Sequence, residues 1–291
     1  MGTSMDKVLF LLSLIIATIP GCNQGTIETT SGLAPSQSAN SMAKSAVPST
    51  ITADHTLSVF AAASLTGAFL EIGENFETAN SGVTVIFNFA GSQILRTQLE
   101  QGAVVDIFAS ADHKNMDFLV SENLVAENTY QDFATNQLIV ILPINNPGQV
   151  HTLNDLAKTD LKVVLADSSV PAGNYARQVL SKMSEDPFYG PDFNAKVLAN
   201  VVSNETDVKQ VVTKIELGEA DAGIVYVSDI TATPALATIS IPYTYNIIAN
   251  YPIAVLSNAP EPQLATEFIA YVLSSDGQAV LAKWGFNPET H

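Results

Sequence analysis

At 291 residues and 30.9 kDa, the chain has the length of one large domain or two modest ones, and ample chain for a sizeable core. Its 29 acidic residues against 12 basic ones give a net charge of −17 and a pI near 4.3, which excludes a basic face for nucleic acid or anionic lipid. One cysteine rules out an internal disulfide framework, and four scattered histidines (His55, His113, His151, His291) supply neither an HExxH pair nor a dense metal cluster.

Residues 1–22 read as an export signal: Lys7 gives a thin positive start, and the apolar stretch Val8–Ile19 falls short of the about 20 residues a bilayer span needs. Ile19-Pro20-Gly21-Cys22 resembles a lipoprotein box, in which Cys22 is acylated and becomes the mature N-terminus; the competing reading is a plain secretory signal with an incidental cysteine. Residues 23–55 are dominated by Ser, Thr, Ala, Gly and Pro and carry no apolar period, so they are expected to be a flexible tether.

From Leu57 onward, short apolar runs alternate with helical patterns. Strands are expected at Leu57–Ala62, Val83–Phe89, Asp106–Ser110, Gln137–Leu142, Lys162–Ala166, Val197–Val202, Ala222–Val227 and Pro252–Leu256. Helices are expected at Leu65–Thr78, Ser92–Gln101, Lys114–Ser121, Gly173–Met183, Glu205–Leu217, Gln263–Leu273 and Gln278–Lys283. Leu65, Phe69, Ile72 and Phe76 fall at spacings of three and four on one face of the first of these. The alternation argues for an α/β fold with largely parallel sheets.

Several strand-to-helix junctions share a chemical character. Ala61-Ala-Ala-Ser64-Leu-Thr66 and Phe89-Ala-Gly91-Ser92-Gln93 each pass from strand to helix through small residues and a serine. A helix N-terminus offers unpaired N–H groups and a partial positive charge, small residues let a ligand reach them, and the serine adds a hydroxyl. Each serine alone also reads as an ordinary N-cap. Pro171-Ala172-Gly173 and Asn204-Glu-Thr-Asp207-Val208 open two later helices with the same bare amides. Tyr226 ends a buried strand, a position that core packing alone would explain.

Enzymatic readings have little to stand on. There is no GxSxG elbow, SxxK pair, Walker A lysine or GxGxxG turn. Asp112-His113 opens a helix and reads as a solvated pair, and nothing in the sequence gives Asp106 or Asp112 a partner for acid–base work.

Taken in order, Ala61-Ala-Ala-Ser64-Leu-Thr, Phe89-Ala-Gly-Ser92, Asp106-Ile-Phe-Ala-Ser-Ala-Asp112, Val170-Pro-Ala-Gly-Asn-Tyr-Ala176 and Gly218-Glu-Ala-Asp-Ala-Gly-Ile-Val-Tyr226 resemble the molybdate-binding proteins of bacterial ABC importers. The resemblance implies a two-lobed periplasmic binding protein with its ligand in the cleft: lobe one from 56–142 plus 245–291, lobe two from 143–244, with crossings near Leu142–Asn145 and Tyr243–Asn246. It further implies an oxyanion held by the Ser64 and Ser92 hydroxyls, the Ala172 and Val208 amides and the Tyr226 phenol, with no protein ligand to the metal itself. It implies no enzymatic activity and no cofactor beyond the bound molybdate or tungstate. The expected partners are an ABC permease and a membrane reached only through the lipid anchor, on an exported monomer that touches no nucleic acid. Competing readings are the same fold for tungstate, sulfate, a ferric complex or an organic anion, and a lipid-anchored hydrolase or adhesion module.

Overall fold

The computed structural model describes residues 54–231 and 236–288. The expected export signal, Cys22 and nearly all of the tether lie outside them. β1 (His55–Ala62) opens the body with Leu57, Val59 and Ala61 buried, so the fold begins inside the stretch assigned to the tether. A 3-10 turn (Ala63–Leu65) leads into α1 (Thr66–Ala79), whose Phe69, Ile72 and Phe76 stripe is buried as its spacing requires. β2 (Val83–Ala90), α2 (Ser92–Glu100), β3 (Ile107–Ala109), α3 (His113–Ser121) and β4 (Gln131–Asn136) follow.

The chain then builds a second sheet. β5 (Leu138–Pro143) and β6 (Val163–Ala166) precede α4 (Pro171–Ser184) and α5 (Phe193–Ala199). β7 (Val201–Glu205), α6 (Val208–Glu216), β8 (Ala222–Tyr226), α7 (Val227–Ile230) and β9 (Leu236–Ser240) complete it. β10 (Ala249–Val255) returns to the first sheet, and α8 (Pro262–Leu273), α9 (Ser275–Lys283) and β11 (Asn287–Pro288) close the described chain.

The first sheet has six strands in the order β11-β4-β10-β3-β1-β2, and the second has five in the order β7-β6-β8-β5-β9. Both are mixed rather than largely parallel: β1 runs parallel to β2 and β3, and β6 to β7 and β8, while β10 and β5 run antiparallel to their neighbours. The antiparallel strands are those at which the chain passes between sheets, a direction that hydrophobic patterning does not encode. The parallel strands place the C-terminal ends of β1, β2, β6 and β7 where helices begin, the rim at which open α/β sheets present ligand sites.

Three expectations need correction. The first crossing lies at Gln137, between β4 and β5, and not at Leu142–Asn145, because β5 is hydrogen-bonded throughout to β8 and β9 of the second sheet. The return crossing falls between Ser240 and Ala249. The strand expected at Val197–Val202 is instead the end of α5 followed by β7. Phe193 and Val197, four residues apart, are both buried, and Asn200 ends the helix while its side chain donates to the Leu156 and Lys158 carbonyls. β10 begins at Ala249, before the expected Pro252. The proline is accommodated by an irregularity: Tyr251 pairs with Ala134 and Pro252 with Asp132, leaving Phe133 of β4 bulged between them.

The core of the first sheet is aromatic. Phe69 of α1 meets Phe133 at 5.6 Å and Phe268 of α8 at 6.2 Å between ring centroids, and Phe76 meets Phe268 edge-on at 5.2 Å. Each such buried ring contributes about 1.5–3 kcal/mol through burial, which fixes α1 and α8 against the sheet and thereby fixes the turn that carries Ser64.

Candidate functional site

A single small cavity collects the residues singled out by the sequence: Ser64, Ser92, Ala172, Val208 and Tyr226 all line it. Its free volume is about 10 Å³, far below the roughly 300–1,000 Å³ of pockets for drug-sized molecules. That space suits a small inorganic ion and not a chelated metal complex or a larger organic anion.

Two serines come from the first sheet. Ser64 sits in the 3-10 turn after β1, 4% exposed, and its Oγ lies 3.0 Å from the Tyr251 hydroxyl. Ser92 is the first residue of α2, 1% exposed, and its Oγ accepts the Ala111 amide at 3.1 Å. Neither is an N-cap: Leu65 caps α1 and Gly91 caps α2, without side-chain bonds. Neither serine thus serves the ordinary capping role, and both residues line the shared cavity.

Two backbone amides come from the second sheet. Pro171 takes the first position of α4, where its missing N–H is harmless, and the ladder of that helix starts with the Asn174 amide bonding the Val170 carbonyl. The Ala172 amide therefore precedes the ladder and is available to a ligand. Gly173 permits this placement, since a Cβ there would sit 2.1 Å from the Asp167 carbonyl oxygen. At α6, Asp207 is the N-cap; its carboxylate accepts the Gln210 amide at 3.1 Å and the Gln210 side chain at 2.7 Å. Val208 follows as the first helical residue, its amide likewise ahead of the ladder.

Tyr226 closes the cage. It ends β8, is 1% exposed, and its phenol oxygen has no hydrogen-bond partner within the protein. Burial drives its pKa well above 10, with the nearby Tyr251, Tyr175, Asp112 and Asp229 adding to the rise, so it remains a neutral O–H donor. A buried, unsatisfied hydroxyl costs about 1–3 kcal/mol, and its presence facing a cavity of donors is the signature of a ligand partner.

Among the described residues, no lysine or arginine lines the cavity. Two cations near it in sequence point at protein acceptors. Arg177 donates to the Ala166 and Gly173 carbonyls at 2.9 and 2.7 Å and to Asn204 at 2.6 Å. Lys209 pairs with the buried Asp229 at 3.0 Å. The carboxylates considered for acid–base work are engaged structurally. Asp106 accepts the Ser58 amide and hydroxyl at 2.8 and 2.6 Å and the Glu261 amide at 2.7 Å. Asp112 is buried, contrary to the solvated reading, because it is the N-cap of α3 and accepts the Asn115 amide at 3.0 Å and side chain at 2.7 Å. His113 pairs instead with Asp132 at 2.7 Å.

Sequence reasoning missed Gly91 as a wall. A Cβ on it would lie 2.6 Å from the Thr206 carbonyl of the second sheet's layer. The glycine's φ of −58° is open to any residue, so close approach and not backbone freedom requires it. It missed Tyr251 too, since one tyrosine in an apolar strand carries no local signal of a polar role.

Two α/β sheets joined by paired crossings, with a small donor-lined cavity between the helices at their rims, define a two-lobed ligand-binding protein. The chain belongs to the family of bacterial extracellular solute-binding proteins, whose family model matches residues 57–287. It is 40% identical over 229 residues to the molybdate-binding protein ModA of Mycobacterium tuberculosis, covering 78% of this chain and 83% of the relative. It is 30% identical over 236 residues to YvgL of Bacillus subtilis, named as a putative ABC transporter substrate-binding lipoprotein, covering 80% and 87%. Among solved structures, the substrate-binding domain of a putative molybdenum ABC transporter from Clostridium difficile is similar with a TM-score of 0.61 and 29% identity, covering 81% of this chain and 99% of that one.

Proposed function

We propose that this chain captures molybdate outside the cytoplasmic membrane and delivers it to an ABC permease. The observation that carries the reading is the convergence of Ser64, Ser92, Ala172, Val208 and Tyr226 on one small cavity with no cation among the described residues of its wall. Fixed N–H and O–H dipoles hold a dianion without a counter-charge, each charge-assisted bond contributing about 1.5–3 kcal/mol. The similarity to molybdate-binding relatives supports molybdate as the ion.

The same cage sets selectivity. A partly protonated phosphate needs an acceptor for its hydroxyl, and among the described residues the one carboxylate in the wall, Asp207, is held to its own helix by the Gln210 amide and side chain. With that carboxylate turned to α6 and the rest of the cage donating, phosphate is disfavoured. Sulfate is fully ionised and is rejected by size, because donors spaced for a larger ion leave its bonds long. Tungstate matches molybdate in charge and shape and binds alongside it. Donors from both sheets are satisfied together only in the closed cleft, so the ligand favours closure.

The protein is exported as a monomer and held at the membrane by acylation of Cys22, a reading supported by the lipoprotein name of the Bacillus relative. Thermal-shift measurements with sodium molybdate, tungstate, sulfate and phosphate test the function: an ion at 100 times its Kd adds about 2.7 kcal/mol of stability. Molybdate and tungstate raise Tm and the others do not. Stabilisation by sulfate or phosphate alone, or by none of the four, removes the proposal.

A further inference from the structure

Tyr251 lies outside the set of residues expected to touch the ligand, yet it contacts two of them. Its hydroxyl is 3.0 Å from Ser64 Oγ in the first lobe, and its ring meets the Tyr226 ring of the second at 5.8 Å between centroids. Tyr251 is fully buried, and edge-on contacts to Phe286 at 5.3 Å and Phe133 at 6.2 Å hold its ring from two further sides. The bulge that displaces Phe133 from the β4–β10 ladder falls at this position, and bulges serve to re-aim side chains beside sites.

Resting on the reading of the cage as an oxyanion site, we infer that Tyr251 is a positioning residue for capture: its phenol donates to Ser64 Oγ and so commits the single Ser64 proton to the ligand. A serine hydroxyl has one proton and two lone pairs. If that proton went to Tyr251, Ser64 would face the anion with lone pairs alone and repel it. A phenol whose ring is packed by Phe133 and Phe286, with the Asn136 side chain also against its hydroxyl, and that gives its own proton to Ser64 removes this choice. Bonds in such a chain strengthen one another, so the Ser64 donor is polarised as well as oriented. Burial keeps the Tyr251 phenol protonated, which its role as a donor requires. Through its ring contact the same residue supports Tyr226, so one side chain sets donors from both lobes.

The test is a double-mutant cycle read by titration calorimetry with sodium molybdate. Tyr251→Phe keeps the ring and removes the hydroxyl. In the otherwise native protein it weakens molybdate about three- to tenfold; in the Ser64→Ala background it changes affinity less than about twofold. A merely structural role predicts an equal loss in both backgrounds, and that result, or an unchanged affinity in Tyr251→Phe alone, overturns the inference while leaving the molybdate reading intact. Native protein that does not bind molybdate removes both. Should Tyr251→Phe fail to fold, a crystal structure of the native protein with molybdate decides. Ser64 Oγ within hydrogen-bond distance of both the Tyr251 hydroxyl and an oxide oxygen supports the assignment, and Ser64 turned away from Tyr251 overturns it.

Discussion

The Gln93 side-chain amide donates to the Thr206 carbonyl at 2.9 Å, tying α2 of the first lobe to the loop that opens α6 of the second. Gln93 follows Ser92 directly, and Thr206 stands two residues before Val208, so the tie runs beside two residues that line the cavity. On the proposed closing motion, parting of the lobes breaks it. Replacing Gln93 with Ala should weaken molybdate binding about two- to tenfold and leave the Tm of the ligand-free protein nearly unchanged. Calorimetry and thermal melts on the same samples check both halves.

Gly91 gives a sharper version of that test. In the structure described, an alanine Cβ would stand 2.6 Å from the Thr206 oxygen, a backbone atom that cannot swing aside. Gly91→Ala should hold the lobes apart and cut affinity more strongly than Gln93→Ala. Small-angle scattering should find that molybdate no longer compacts the variant as it compacts the native protein; undiminished compaction would count against a closing cleft.

Tyr226→Phe separates function from stability. Its phenol is buried without a protein partner, so removing it relieves an unsatisfied group worth about 1–3 kcal/mol. The ligand-free variant should melt at or above the native Tm while binding molybdate about ten- to a hundredfold more weakly. Ser64→Ala should lose affinity to a similar extent. A Tyr226→Phe protein that binds as tightly as the native one removes the tyrosine from the site. Because burial holds the phenol well above the ordinary value of 10, native affinity should also stay level from about pH 7 to about pH 9.5.

Asp155 predicts an acid-dependent loss of stability at a distance from the cage. It closes a capping box with Thr152, accepting the His151 and Thr152 amides, each at 2.8 Å, and pairs with Lys158 at 3.1 Å. Burial pushes its pKa up, but the two amide bonds and Lys158 outweigh it and hold the group at about 2, below its ordinary 3.8. The native state thus binds its proton less readily than the unfolded chain. The stabilisation is present above pH 3.8 and is lost as pH falls towards 2. Asp155→Asn should cost about 1 kcal/mol at pH 7, and urea titrations should find the gap to the native protein narrowing through that acid window.

Much of this molecule is legible in its sequence because local rules agree there. The Phe69, Ile72 and Phe76 stripe states its role within a few residues, and the small-residue turns at Ser64, Ser92 and Ala172 mark strand-to-helix junctions that meet at one cavity. What was hidden depends on distant partners. β4 has neither alternation nor a continuous apolar run, since it lies beneath β10 with Phe133 bulged; α5 was mistaken for a strand because Val197, Val201 and Val202 read alike whether they line a helix or a sheet. The crossing at Gln137 separates two strands by one residue, a join that no turn residue marks. The serines read equally well as helix caps until the structure placed Leu65 and Gly91 in that role.

The account stands or falls on whether uncharged donors do the gripping. Calorimetric titration of the native protein with sodium molybdate, repeated at low and at high sodium chloride, tests it most directly. The chain is strongly acidic and, among the described residues, the cavity wall carries no cation, so added salt screens mainly repulsion between protein and ion. One-site binding whose affinity holds steady or rises with salt is the predicted result. Affinity that falls severalfold as salt is added, or an absence of binding at either concentration, would contradict it.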